Sequence, residues 1–330
     1  MRHATGRAAA SPLYPPGMPV TALREITVGV RDLPARTAIF ETGCGLKVIR
    51  TGPVTSIVAS RLFDTHTAPK AAVMGRPDVD GSPRIRLIEA PDGSPARSLG
   101  PGSPGPLGIG FTTAGMRDVH ARLERSGVRF ISPPLLLAPA TTTTGAPPGP
   151  RRHETFGRAP DGDYIVLIER LGAAMPYGTL TTDCSEPLHA SFVVTNLDAC
   201  SHFMREVLEH EILLEDACSG PPFAELLGMP EGLSFRFVMS HHPGFATGRT
   251  VFMEFQKRLE PMAQTPGLAP GICRLRYDTT DLHSTLSRVP GGGGSLVRGP
   301  ASVDDPVLGQ GLVAMVRSPF GVLIELWQTR

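Results

Sequence analysis

Two acidic side chains stand in stretches that are otherwise apolar. Glu254 lies in VFMEF and Glu325 lies in VLIELW. A carboxylate in a buried strand must be paired, protonated or bound to a metal, because burying it bare costs too much free energy. The two acids therefore indicate a buried ionic or metal site.

A fourfold repeat surrounds these acids. Each copy opens with a short apolar strand, turns, and continues into an amphipathic helix, and further strand-like runs follow. Asp32, Asn196 and Asp281 stand where a helix N-cap is expected. The pattern predicts four βαβββ units, which open at 23–48, 107–131, 188–214 and 272–289.

Four βαβββ units over residues 23–330 resemble the vicinal oxygen chelate superfamily, which includes glyoxalase I, bleomycin-resistance proteins and type I extradiol dioxygenases. The resemblance implies an α+β fold with four modules paired into two glyoxalase-like domains, whose curved mixed sheets enclose a cavity. We expect a flexible tail at 1–22, an N-terminal domain at 23–170 (modules 23–90 and 107–170), a linker at 171–187, and a C-terminal domain at 188–330 (modules 188–257 and 272–330).

The resemblance also implies where a metal would bind, because the superfamily draws its ligands from the first and last strands of each unit. In the C-terminal half these positions give His189, Glu254 and Glu325. One imidazole and two carboxylates suit a divalent iron, manganese, zinc, nickel or cobalt ion. Glu254 and Glu325 are also the expected catalytic residues, since a carboxylate would move the proton.

The fourth position falls on Arg274, which departs from the superfamily because a guanidinium has no lone pair to donate. Two interpretations stay open. Either His189, Glu254 and Glu325 hold a metal and Arg274 binds an anionic group of the substrate, or Arg274 pairs with Glu254 or Glu325 and takes the place of the metal.

Strand alternation adds candidate substrate-binding residues on the same faces. With Arg274 they are Arg276, Ser191, Gln256 and Trp327. Two arginines indicate an anionic substrate, and Trp327 could stack against a flat portion of it, although packing in the core would explain Trp327 equally well.

The matching positions in the N-terminal half are Glu25, Arg86 (or Glu89 in another register), Gly108 and Val166. Gly and Val cannot ligate a metal. We therefore expect this half to serve as scaffold or cavity wall, without a metal.

Three functions stay open. The leading hypothesis is a metal-dependent lyase, isomerase or epimerase that acts through an enolate on a small oxygenated, anionic substrate. The second is an Fe(II)-dependent extradiol-type dioxygenase, and Arg274 is evidence against this hypothesis. The third is a metal-free protein that binds a small molecule, as resistance proteins of this superfamily do.

The composition of the chain argues against several classes of binding partner and site. A net charge of +1, without runs of like charge, gives no argument for nucleic acid or an anionic membrane as partner. Five scattered cysteines without CxxC spacing argue against a disulfide framework and a cysteine–zinc site. We expect a cytoplasmic protein that acts on a small molecule, and a homodimer stays open.

Overall fold

The computed structural model describes residues 20–79, 81–96, 100–137, 151–172, 183–256 and 267–329. Residues 1–19 of the expected tail and most of the expected linker lie outside these ranges. Val20, Thr21 and Ala22, which the sequence assigned to the tail, are the first residues of a strand.

Four units of strands and helices follow one another along the chain. Unit 1 contains β1 (Val20–Val30), α1 (Leu33–Ala38) with a π-helical continuation (Ile39–Gly43), β2 (Lys47–Pro53), α2 (Ser56–Phe63), β3 (Lys70–Gly75) and β4 (Arg84–Glu89). Unit 2 contains β5 (Gly105–Thr112), α3 (Met116–Arg125), β6 (Arg129–Phe130), β7 (Leu135–Leu137), β8 (Arg152–Arg158) and β9 (Tyr164–Arg170).

Unit 3 contains β10 (His189–Val193), α4 (Leu197–Glu206), β11 (Glu211–Ser219), α5 (Pro221–Leu227), β12 (Ser234–His241) and β13 (Arg249–Phe255). Unit 4 contains β14 (Gly271–Thr279), α6 (Leu282–Arg288), β15 (Ser295–Asp305), β16 (Gly309–Arg317) and β17 (Leu323–Gln328). The short helices α2 and α5 were not expected from the sequence.

The predicted N-caps are confirmed. The side chains of Asp32, Asn196 and Asp281 accept hydrogen bonds from the backbone N–H groups three residues further on, at the starts of α1, α4 and α6. An acceptor at this position satisfies an amide that the helix itself leaves unpaired.

Two mixed sheets combine the units in an order that differs from the expected domains. Sheet A joins units 1 and 4 in the strand order β15-β16-β17-β14-β1-β4-β3-β2. Sheet B joins units 3 and 2 in the order β11-β12-β13-β10-β5-β9-β8-β6, with β7 beside β8. The expectation that unit 1 pairs with unit 2 and unit 3 with unit 4 is therefore wrong.

Within each sheet, the two units join through their first strands. In sheet A, β1 and β14 are antiparallel, and in sheet B, β5 and β10 are antiparallel. The largest apolar cluster contains buried residues from both sheets and from α1, α3, α4 and α6. Separate clusters lie where α2 packs on sheet A and α5 packs on sheet B. Each sheet thus has one face toward the shared core and one face that a short helix covers.

The five cysteines are buried and form no disulfide. None of the helices in the described part of the chain has both the length and the apolar character needed to cross a bilayer.

Candidate functional site

Strand register shows which positions of the four units are equivalent. In every unit the first and last strands run parallel, and Thr27 pairs with Arg86 just as Arg276 pairs with Glu325. The same register pairs Ser191 with Val251 and Gly110 with Val166. Taking the first-strand residue two positions earlier, the four equivalent pairs are Glu25 with Arg86, Arg274 with Glu325, His189 with Val251, and Gly108 with Val166.

Sheet A brings two of these pairs together as four charges, which we call the ion-pair centre (Glu25, Arg86, Arg274 and Glu325). Arg86 donates to both carboxylate oxygens of Glu325, at 3.1 and 2.9 Å, and its other terminal nitrogen contacts Glu25. Arg274 Nη1 lies 3.6 Å from Glu325 Oε1. Side-chain exposure in this centre is at most 4%. Two acids and two arginines therefore neutralise one another inside the sheet.

Electrostatics keep the centre charged. Burial alone would raise the pKa of Glu325, but Arg86, Arg274 and hydrogen bonds from Arg86 and Trp327 outweigh it, so that the pKa lies below its ordinary value. Burial likewise opposes the charge on Arg86, yet Glu25 and Glu325 raise its pKa. Neighbouring opposite charges thus stabilise each ion in a place where water cannot.

Aromatic rings and α2 pack beside this centre. Trp327 Nε1 donates to Glu325 Oε2 at 3.0 Å, and the guanidinium of Arg276 lies 4.0 Å from the centre of the Trp327 ring. The Arg274 guanidinium lies 4.4 Å from the ring centre of Phe63, the last residue of α2. Arg298 of β15 donates to the carbonyl of Arg61 at 2.6 Å and so fastens the end of α2. Phe63 and Trp327 thus pack against the guanidinium groups of Arg274 and Arg276.

Sheet B carries a different arrangement at the equivalent place. An apolar cavity of about 170 Å³ lies between the sheet and α5, and its lining includes His189, Ser191, Val166 and Val251. Phe156, Phe223, Phe235 and Phe237, two methionines and several leucines form most of its wall, and Arg152, Glu154, Arg170 and Asp216 also contribute. We call this space the sheet B cavity.

His189 lies at the floor of the sheet B cavity as a neutral imidazole. Burial, with a smaller effect of Arg249, lowers its pKa to about 3. Its Nδ1 is buried and has no hydrogen-bond partner within the structure. A Cβ on Gly110 of β5 would lie 2.0 Å from His189 Cε1, so the imidazole occupies the space that this glycine leaves open. The close fit against Gly110 fixes the position of the imidazole in the cavity lining.

Solved structures with similar folds include glyoxalase I from Zea mays, with a TM-score of 0.63 and 16% sequence identity over 93% of this chain and 92% of that chain. A putative dioxygenase from Bacillus subtilis aligns with a TM-score of 0.56 and 14% identity over 94% of this chain and 86% of that chain. The chain has the vicinal oxygen chelate fold. No protein-family model and no curated protein sequence matches it.

The residues at the metal positions of the vicinal oxygen chelate fold do not fit a metal ion in this chain. In sheet A both carboxylates are already bound by guanidinium groups, and two fixed cations beside them oppose a third. In sheet B the four positions hold His189, Val251, Gly108 and Val166, which offer one ligand. Within the described ranges, no group of three or more His, Cys, Asp or Glu side chains is arranged to hold a metal.

The predicted convergence of His189, Glu254 and Glu325 is therefore wrong. His189 and Glu254 belong to sheet B, whereas Glu325 belongs to sheet A. Glu254 also lies three residues beyond Val251, and an odd spacing along a strand turns a side chain to the opposite face. The pairing of Arg274 with Glu325, one of the two interpretations left open, is what the structure contains.

Glu254 instead contacts the start of a helix. Its Oε1 accepts from the backbone N–H of Leu197 at 3.4 Å, and its Oε2 lies 3.5 Å from Arg236. The equivalent residues of units 2 and 4 do the same: Glu169 accepts from Met116 N–H at 3.1 Å, and Gln328 accepts from Leu282 N–H at 3.0 Å. This position is a helix cap that recurs in three units.

The predicted substrate-binding residues divide between the two sheets. Ser191 lines the sheet B cavity beside His189, as expected. Arg274, Arg276 and Trp327 are held in sheet A, where Arg276 pairs with Asp278 at 2.8 Å and Trp327 is fully buried. Gln256 is exposed at the end of β13, on the face of Glu254. For Trp327, packing in the core is the correct alternative.

Sequence reasoning missed Asp216, a buried acid of β11 on the cavity wall. The stretch LLEDACS around it is polar enough to pass as a surface strand. Sequence reasoning also assigned Glu25 and Arg86 to a scaffold or cavity wall. It overlooked that units 1 and 4 each carry one acid and one arginine at equivalent positions. That balance of charge was a signal that these two units face each other.

Proposed function

We propose that this chain is a metal-independent binding protein for a small apolar molecule, and that the sheet B cavity is its binding site. The observation that carries the proposal is the contrast at equivalent positions. Charged side chains occupy the equivalent positions in sheet A, whereas His189, Val166 and Val251 border an apolar cavity over sheet B. Concave apolar cavities with a few polar groups are the usual form of ligand sites.

The metal-dependent lyase, isomerase or epimerase and the Fe(II) dioxygenase receive less support. Both require a set of metal ligands that the described part of the chain does not bring together. Glu254 instead accepts a hydrogen bond from the backbone N–H at the start of α4. The cytoplasmic location and the homodimer are likewise proposals, which cell fractionation and light scattering of the purified protein would test.

Cavity filling tests the proposal. Val251→Phe places a ring inside the cavity, whereas Val48→Phe adds the same ring at a half-exposed position on an edge strand of sheet A. We expect toluene to raise the Tm of the wild-type protein and of Val48→Phe but not of Val251→Phe. The compound released afterwards should be chemically unchanged by chromatography.

Metal analysis of protein purified without chelator completes the test. We expect less than a tenth of an equivalent of iron, manganese, zinc, nickel or cobalt, and no change in toluene binding after chelator treatment. Stoichiometric metal that is lost in Glu325→Gln, or conversion of a bound compound, would overturn the proposal in favour of an enzyme.

A further inference from the structure

The wall of the sheet B cavity contains a buried carboxylate with an unused oxygen. Asp216 is 2% exposed, and its Oδ1 accepts from the backbone N–H of Ala217 at 2.8 Å. Its Oδ2 is buried and has no hydrogen-bond partner within the structure. An acceptor that is buried without a partner costs free energy, and the cost is larger for a carboxylate than for a neutral group.

No described side chain donates a hydrogen bond to this oxygen. Arg152, which lines the same cavity, donates from Nε to Glu154 at 2.8 Å and also interacts electrostatically with Asp216. Arg170 also lines this cavity. Burial raises the pKa of the Cys218 thiol to about 12, so the thiol stays neutral at pH 7 beside Asp216. Asp216 thus lines a largely apolar cavity and has one carboxylate oxygen without a hydrogen bond from the described residues, which a ligand in the cavity could supply.

Cavity size limits that ligand. A cavity of about 150 Å³ in another protein binds benzene, and the sheet B cavity has about 170 Å³. One aromatic ring with a short substituent fits this volume, and four phenylalanines stand on the wall to pack against it.

We infer, building on the proposed function, that the ligand is an apolar amine of the size of one aromatic ring. Its ammonium donates to Asp216 Oδ2, its ring packs on the apolar wall, and the neutral His189 at the floor accommodates the ring or a further polar substituent. A cationic group is favoured because a charge-assisted hydrogen bond is about twice as strong as a neutral one. Burial also strengthens its attraction to the carboxylate.

Four probes of matched size test the inference by isothermal titration calorimetry at pH 7. Benzylamine carries an ammonium, benzyl alcohol a neutral donor, toluene no polar group, and benzoate a carboxylate. We expect the affinities to fall in that order, with benzylamine at least tenfold tighter than toluene. Benzylamine that binds no better than toluene, or benzoate that binds best, would overturn the inference.

Two charge-removing variants on one strand locate the contact. Asp216→Asn keeps the side-chain shape and removes the carboxylate, and we expect it to weaken benzylamine at least tenfold while toluene changes less than twofold. Glu211→Gln, at an exposed position of β11 outside the cavity, serves as the matched control and should change neither affinity. Equal benzylamine affinity in Asp216→Asn and wild type would overturn the assignment of Asp216.

Failure of the inference and failure of the proposed function give different results. Toluene binding that Val251→Phe abolishes, without a preference for benzylamine, leaves the binding protein and removes the amine. If none of the four probes binds at millimolar concentration, the proposed function falls, and the inference falls with it.

Discussion

Sheets A and B are each built from two units of the same kind, yet equivalent strand positions carry different side chains in the two sheets. In sheet A, Glu25, Arg86, Arg274 and Glu325 occupy the positions and neutralise one another, and α2 covers them. In sheet B a single imidazole stands among glycine and valine, and a cavity remains. Equivalent positions of one repeated unit can thus hold a buried ionic cluster in one sheet and border an apolar cavity in the other.

The largest expected effect comes from breaking the ion-pair centre. Arg86→Met leaves Glu25 and Glu325 buried without their main partner, and we expect a loss of about 3–5 kcal/mol in the free energy of unfolding. Urea denaturation measures it. Arg158→Met, at an exposed strand position in sheet B, is the control and should lose less than about 0.5 kcal/mol. A loss below about 1 kcal/mol in Arg86→Met would show that the centre contributes little to stability.

Acid should act on buried histidines before it reaches the ion-pair centre. Burial lowers the pKa values of His189 and His210 to about 3, below the ordinary value near 6.5. The unfolded chain therefore binds more protons as the pH falls below about 6.5, and stability is lost from there downward. At pH 5 the loss is about 2 kcal/mol for each histidine.

Urea denaturation at pH 7.5 and pH 5 of wild type and His210→Phe checks this expectation. The variant should lose about 2 kcal/mol less than wild type between the two pH values, whereas the exposed control His66→Phe should behave as wild type. The lowered pKa of Glu325 acts in the same direction but at lower pH, because its contribution to stability persists above its ordinary value near 4.3 and is lost as the pH falls below that value. Identical pH dependence in His210→Phe and wild type would contradict the account.

Crowding the floor of the cavity should have a smaller effect. In Gly110→Ala the new methyl group meets the His189 ring, which must shift, and we expect a loss of about 1–3 kcal/mol together with weaker toluene binding. Gly267→Ala is the matched control, because the nearest atom to its Cβ would lie 4.0 Å away. Thermal unfolding and calorimetry measure both quantities, and unchanged toluene affinity in Gly110→Ala would separate His189 from the site.

The smallest effect is expected at Glu254. Glu254→Gln keeps an acceptor for the N–H of Leu197, so the free energy of unfolding should fall by less than about 1 kcal/mol and toluene affinity should not change. A metal ligand would respond differently. A loss of bound metal in this variant would restore Glu254 to a metal site.

The fold followed from the sequence because its signals are local and repeated. Strand alternation and the caps Asp32, Asn196 and Asp281 recur in the units and determine the elements. The pairing of units did not follow, because every unit presents a similar first strand and only side-chain complementarity selects the neighbour. The charges of Glu25 and Arg86 match those of Arg274 and Glu325, and this match was overlooked.

The site was predicted in part. His189 and Ser191 were placed correctly on one face of β10, since the period of two within a short strand is reliable. Glu254 was assigned to the wrong face because a register shift of three residues cannot be seen in VFMEF. Asp216 was missed because its burial depends on α5, a helix that the sequence did not reveal.

A crystal structure of the protein soaked with 4-bromotoluene would show which sheet holds a ligand, because the anomalous signal of bromine locates the ligand without ambiguity. We expect a bromine peak in the sheet B cavity, within contact distance of Val251 and the phenylalanines of the cavity wall, and an unchanged ion-pair centre in sheet A. A bromine peak beside Glu325, or a metal ion bound among Glu25, Arg274 and Glu325, would contradict this expectation.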